Sequence, residues 1–164
     1  MDNTNLPTLT LRRASLACEV SGVLSKPMRG AASIAAAGAH LVGPDPREHF
    51  LAFYLDAKGV ILAAHVVSIG TATASLVHPR EVFGPALMLP GCAALVVAHN
   101  HPSGDTEPSA TDHATHRRLS RAGALLGIEL LDAVVFGIGE DGTPGDHWSQ
   151  IEHGGGWPKS PSLR

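Results

Sequence analysis

The sequence predicts a single-domain mixed α/β fold, and three observations carry that prediction. Beyond Pro46 the segments read β–β–α–β–loop–α–β, a pattern that places helices on a mixed sheet. The 164 residues suffice for one domain with a real core and fall short of two ordinary ones. At 44% hydrophobic and 16% charged, the composition is that of a globular chain rather than a disordered one.

LTLRRASLACEVSG, residues 9–22, suggests a strand or two in an uncertain register. MRGAASIAAAGAHLVG at 28–43 is Ala-rich and reads as a helix, stopped by Pro44-Asp45-Pro46. EHFLAFYLDAKGVILAAHVVSIG holds two strand-like runs joined by Asp-Ala-Lys-Gly, the pattern of a hairpin. HPREVFGPALMLPG at 78–91 reads as a short helix with Pro79 at its start, Gly91 at its end and Pro85 distorting it. CAALVVAHN at 92–100 is a continuous apolar run, the mark of a buried strand.

Ser109 is the expected N-cap of the next helix, which carries Leu119, Ala122 and Leu126 on one stripe and stops at Gly127. IELLDAVVFGIG at 128–139 is a further apolar strand, and the stretch from Glu140 is rich in Gly, Pro and Ser.

Aromatics are only 4% of residues, which points to a core of Ala, Leu and Val. The net charge of −3 and the scattered arginines do not favour nucleic acid. Cys18 and Cys92 are too few for a disulfide framework, so a reducing cytoplasm is the expected compartment. The N-terminus has no signal-peptide core, and the longest apolar run, 82–98, is broken by Pro85 and Pro90. No membrane span is expected. The sequence leaves oligomeric state open.

The chemistry concentrates at residues 99–112, HNHPSGDTEPSATD. Residues two apart on an extended chain share a side, so His99 and His101 can face one ion with Asn100 turned away. Pro102-Ser103-Gly104 then turns the chain, and the helix opened by Ser109 brings Asp112 into its first turn. Two imidazoles and a carboxylate would leave one tetrahedral position for water, as in a catalytic zinc site. A separate carboxylate would then carry protons. Ser109 to Asp112 is also an acceptable capping box, and that simpler alternative stays open at this point.

Other metal classes fit less well. A zinc deaminase needs a Cys-x-x-Cys pair that the chain lacks, and a barrel amidohydrolase needs about 250 residues. His113 and His116, one helical turn apart, read as solvated helix residues. His49 and His78 carry no specific signal, and Cys92 reads as a core residue.

His99-x-His101-Pro102 followed by Ser109-x-x-Asp112 resembles the JAB/MPN (JAMM) metalloprotease pattern, His-x-His-Pro-x6-Ser-x-x-Asp. With Pro79-Arg80-Glu81 upstream and LLGIELLD at 125–132 downstream, the chain looks like the RadC branch of that family over roughly 44–150. The resemblance implies a cytidine-deaminase-like α/β/α sandwich and divides the chain in three. An N-terminal segment, 1–43, holds a strand and the Ala-rich helix; 44–151 is the RadC-like JAB/MPN domain; 152–164 is a flexible tail.

The resemblance implies Zn2+ as the metal, held by His99, His101 and Asp112. It gives Ser109 the role of hydrogen-bonding a developing oxyanion. It also asks for an upstream glutamate, for which Glu48 is the choice and Glu81 the rival. The implied activity is hydrolysis of a peptide or isopeptide bond in a protein substrate. The alternative is a repair- or mobile-element-associated accessory protein, with a weak or indirect DNA association and a structural or vestigial metal. One departure stands out: where RadC-like chains usually have Asp-His, this one has Asp132-Ala133.

Overall fold

The computed structural model describes residues 27–70, 77–139 and 141–154. The elements are α1 Ala31–Val42, β1 Glu48–Leu55, β2 Ile61–Gly70, α2 Pro79–Met88, β3 Ala94–Asn100, α3 Ala110–Leu126, β4 Glu129–Ile138 and β5 Pro144–Ser149. The five strands form one mixed sheet in the order β2-β1-β3-β4-β5. β1 is antiparallel to both its neighbours, β3 and β4 are parallel through the α3 crossover, and β5 returns antiparallel. The strand or strands expected over 9–22, and the tail from 155, lie outside the described residues.

The period-two alternation of strand side chains divides the core into two layers. On one face Leu51, Phe53, Leu55, Val96, Ala98, Val134 and Phe136 pack against α1. On the other, Phe50, Ala52, Tyr54, Leu95 and Val97 pack against Val82 and Phe83 of α2 and Leu119 of α3. Because both faces are covered, β1 and β3 read as unbroken apolar runs in the sequence. The result is a three-layer α/β/α arrangement around a mixed sheet. Helix α1, grouped from sequence with the N-terminal segment, lies in this core, with Ile34 and Ala39 fully buried.

The buried core is mostly Ala, Val and Leu, as the composition suggests, with the few rings added to it. All four phenylalanines and Tyr54 are buried at its heart, so the few rings are concentrated where each removes most surface from water. The Tyr54 hydroxyl is satisfied by donating to the Val82 carbonyl at 2.9 Å.

Local signals place most elements within a few residues. The Asp56–Gly59 turn closes the β1–β2 hairpin, with the Asp56 carboxylate accepting from the Lys58 and Val60 amides and Gly59 in the left-handed region. Pro79 opens α2 after the His78 cap, and the helix stops at Met88, short of Gly91. Helix α3 has Ser109 as N-cap and Gly127 as its left-handed C-cap, as the sequence predicts. Its inward stripe is His116, Leu119 and Gly123, whereas Leu126 is exposed.

Strand β5 has no sequence signature, because Pro144, Gly145 and Asp146 are poor strand formers. Tertiary contacts hold it instead. The buried Asp132 carboxylate accepts from Ser149 Oγ at 2.7 Å and from the Ala133 and Ile151 amides, fastening β4 to the end of β5 and the turn after it. Ala133, in place of the expected histidine, is fully buried in the α2/α3 layer.

Two helical glycines mark the closest approaches. A Cβ on Gly38 of α1 would lie 2.7 Å from Cζ of Phe136, and one on Gly123 of α3 would run into the Ile128 carbonyl oxygen. Gly38→Ala is expected to cost about 1–3 kcal/mol, the usual overpacking penalty, because the ring can shift slightly. Gly123→Ala is expected to cost more, since the obstacle is backbone. Urea unfolding of the two variants checks the order, and equal or opposite costs would contradict it.

Among the described residues, no helix is long and apolar enough to cross a membrane.

Candidate metal centre

The site forms where β3 ends and α3 begins, the position at which parallel strands of α/β sheets commonly present ligands. His99 continues the alternation of Leu95 and Val97, so its ring enters the α2/α3 layer. It stacks on Phe50, its partner across the β1–β3 pair, with ring centroids 5.9 Å apart. Behind it lies His116, also 5.9 Å away.

The chain turns after His101, where the Gly104 amide donates to the His101 carbonyl and Gly104 has φ of 77°. That turn brings the Asp105 carbonyl 2.7 Å from Nδ1 of His101. A carbonyl can only accept, so Nδ1 carries the proton and Nε2 presents its lone pair to the site.

His99, His101 and Asp112 converge, with ligand atoms all within 4.8 Å of one another. The two Nε2 atoms are 3.1 Å apart, and Asp112 oxygens lie 3.6 Å from that of His99 and 3.7 Å from that of His101. Ligands at 2.0–2.1 Å in a tetrahedron stand about 3.3 Å apart, close to all three separations. Two imidazole nitrogens facing each other beside a carboxylate need a proton or a cation between them. The donor set therefore fits a divalent ion of the borderline-soft kind.

Ser109 and Asp112 form the full capping box as well. Ser109 Oγ donates to Asp112 Oδ2 at 2.6 Å, the Ser109 amide donates to the same oxygen at 2.8 Å, and Ser109 Oγ accepts from the Asp112 amide. The helix cap and the metal cluster thus share one carboxylate and do not compete. Capping fixes the carboxylate at the helix N-terminus, where a negative charge is stabilised.

Electrostatics follow this geometry. Burial works to raise the Asp112 pKa, but polar contacts from His101, His99 and Ser109 outweigh it and hold the carboxyl well below its usual range. The His101 pKa is raised, chiefly by Asp112, against the opposing effect of burial. Burial together with the neighbouring His99 pushes His116 down to about 3, so its ring is neutral.

Glu48 opens β1, which runs antiparallel to β3, so the start of one strand lies beside the end of the other. It shares the face of Phe50, and its charge is felt at His101. Its Oε2 is buried with no hydrogen-bond partner among the described residues. Glu81 lies elsewhere, exposed in the first turn of α2 and paired with Arg80 at 3.5 Å.

Sequence reasoning missed two residues here. His116 is not solvated but buried, and the stripe Asp112, His116, Leu119, Gly123 at helical spacing could have shown it. Asn100 turns away from the two imidazoles, as expected, but not to solvent. It is buried, and its side chain binds the backbone on both sides of Glu48. No local pattern signals that contact. His78 caps α2, and His49 is buried with Nδ1 against the Arg47 carbonyl.

The chain matches the family model described as "RadC-like JAB domain" over residues 28–143. It is 45% identical over 108 residues to a UPF0758 protein of Rubrobacter xylanophilus, covering 66% of this chain and 44% of that protein. A UPF0758 protein of Methanosarcina mazei is 50% identical over 93 residues, covering 57% of this chain and 40% of that one. The chain thus spans less than half the length of the curated relatives it matches. With the family model matching more than half of the chain, this protein belongs to the RadC-like JAB domain family.

Proposed function

We propose that this domain is a zinc-dependent hydrolase acting on a peptide or isopeptide bond in a protein substrate, in a reducing cytoplasm. The observation that carries the reading is a division of labour among carboxylates. Asp112 joins the imidazole pair, whereas Glu48 reaches the same face with a buried oxygen that has no partner among the described residues. A buried acceptor without a partner is costly, and a water beside the metal would satisfy it.

Zinc bound by His99, His101 and Asp112 would supply Lewis acidity, making water a better nucleophile near neutral pH and polarising the scissile carbonyl. Glu48 takes the proton of the attacking water and hands it to the leaving amine. Asp105, through its carbonyl, fixes the His101 tautomer. Ser109 orients Asp112 and then turns its hydroxyl to the developing oxyanion, a preorganised donor of the kind that stabilises such charge.

Metal content of the purified protein, measured by mass spectrometry beside Asp112→Ala, tests the reading. The expected result is near-stoichiometric zinc in the parent and its loss in the variant. If neither protein retains zinc, even after exposure to it, the cluster is only a helix cap with two adjacent histidines and the reading fails.

A further inference from the structure

Asn100 stands between His99 and His101 in sequence, at the end of β3, and is almost wholly buried. Its Oδ1 accepts from the His49 amide at 2.8 Å, and its Nδ2 donates to the Arg47 carbonyl at 3.0 Å. One partner is a donor and the other an acceptor, so a single amide orientation serves both. The last backbone pair between β1 and β3 is Phe50 with His99, and beyond it the Asn100 side chain continues the ladder as a substitute peptide group.

The two groups that Asn100 binds belong to the peptide planes on either side of Glu48. Fixing both planes fixes φ and ψ of Glu48, and with them the direction of its Cα–Cβ bond. The Arg47 carbonyl also faces His49 Nδ1 at 3.0 Å, and the Asp45 carboxylate holds the Arg47 amide and guanidinium, so the loop before β1 has little freedom. Meanwhile Asn100 is bonded covalently to both His99 and His101. Beyond the backbone ladder, one side chain therefore ties the imidazole pair to both peptide planes around Glu48.

We infer that Asn100 is a positioning residue that aims the Glu48 carboxylate at the metal centre, in addition to joining two strands. The inference rests on the zinc-hydrolase reading above and extends it to a residue that touches neither metal nor substrate. A misplacement of a reacting group by about 1 Å is enough to cost a large factor in rate, which is why such a clamp would matter.

The test follows the side-chain carboxyl carbon of Glu48 by NMR in the full chain, labelled with 13C at glutamate, as zinc is added. Parent, Asn100→Ala and Asn100→Asp are compared, with zinc stoichiometry measured on each. Asn100→Asp keeps the volume and the acceptor for His49 but loses the donor to Arg47, so it serves if the alanine variant does not fold. In the parent, zinc is expected to shift the Glu48 resonance. In the variants zinc still binds, but that shift is lost.

Zinc binding with the parental Glu48 shift in both variants, or in Asn100→Asp where only that one folds, would reduce Asn100 to a structural link and overturn the inference while leaving the hydrolase reading intact. Zinc bound by the parent without any response of Glu48 would overturn the inference and the assignment of Glu48 together. No zinc in the parent would remove the hydrolase reading and the inference with it.

Discussion

Glu48→Gln is expected to keep its zinc while losing turnover of a cleaved peptide or isopeptide substrate by about 10²–10⁴-fold, the usual contribution of a positioned proton carrier. Glutamine matches glutamate in size, and the Asn100 clamp acts on backbone groups that the substitution leaves in place. The group that could hold a metal, His99, His101 and Asp112, does not include residue 48, so metal content should not change. The substitution removes the ability to accept and return a proton, together with the negative charge that is felt at His101.

Glu81→Gln provides the contrast. Glu81 is exposed and paired with Arg80, and surface pairs of this kind are worth little, so turnover and stability should stay close to the parent's. Steady-state assays of both variants, with zinc measured on the same samples, decide the matter. Full turnover by zinc-loaded Glu48→Gln would remove Glu48 from the mechanism.

The second large effect is a reversal of pH dependence on adding zinc. In the metal-free protein the contact with Asp112 raises the His101 pKa above its ordinary 6.5. A raised folded-state pKa stabilises the fold fully below the unfolded value, and that contribution is lost as pH rises through the folded value. Asp112 has the opposite sign: its lowered pKa stabilises the fold above its ordinary 3.8 and loses that effect only in stronger acid. The imidazole–carboxylate contact therefore favours the metal-free fold between those two values and weakens from 6.5 upward.

Zinc needs His101 neutral, so protons compete with the metal and zinc affinity should rise over the same upper interval. At zinc concentrations about a hundredfold above the dissociation constant, binding adds about 2.7 kcal/mol of stability. For a chain of this length that corresponds to a rise in Tm of about 5–10 °C. The rise should grow with pH across neutrality, while the metal-free Tm loses the His101 contribution. Scanning calorimetry of the parent with and without zinc, beside Asp112→Ala, measures both slopes. A zinc-induced rise that stays constant through neutral pH, or that persists in Asp112→Ala, would contradict the ligand assignment.

What the sequence determined by itself is what local backbone geometry encodes. His99 and His101 share a side because a strand repeats every two residues. Asp112 faces them because a tight turn and a capped helix follow within the same short stretch, and both ends of α3 are written in Ser109 and Gly127. The Asp-Ala-Lys-Gly hairpin and the apolar runs of β1, β3 and β4 are local in the same sense. The choice of Glu48 over Glu81 came from the family resemblance, not from any such local rule.

The tertiary structure alone decided which distant residues meet these. Only the antiparallel pairing of β1 with β3 brings Glu48 beside the end of β3, and only that pairing lets Asn100 grip the backbone around it. The helical stripe of α3 hints that His116 points inward, but that it packs behind His99 is decided by how α3 lies on the sheet. Strand β5 exists because Asp132 and β4 hold it, against the preferences of its residues. Spacing along the chain fixes angles and faces over a few residues, whereas strand order and register arise from burying both faces of the sheet at once, a property of the whole domain.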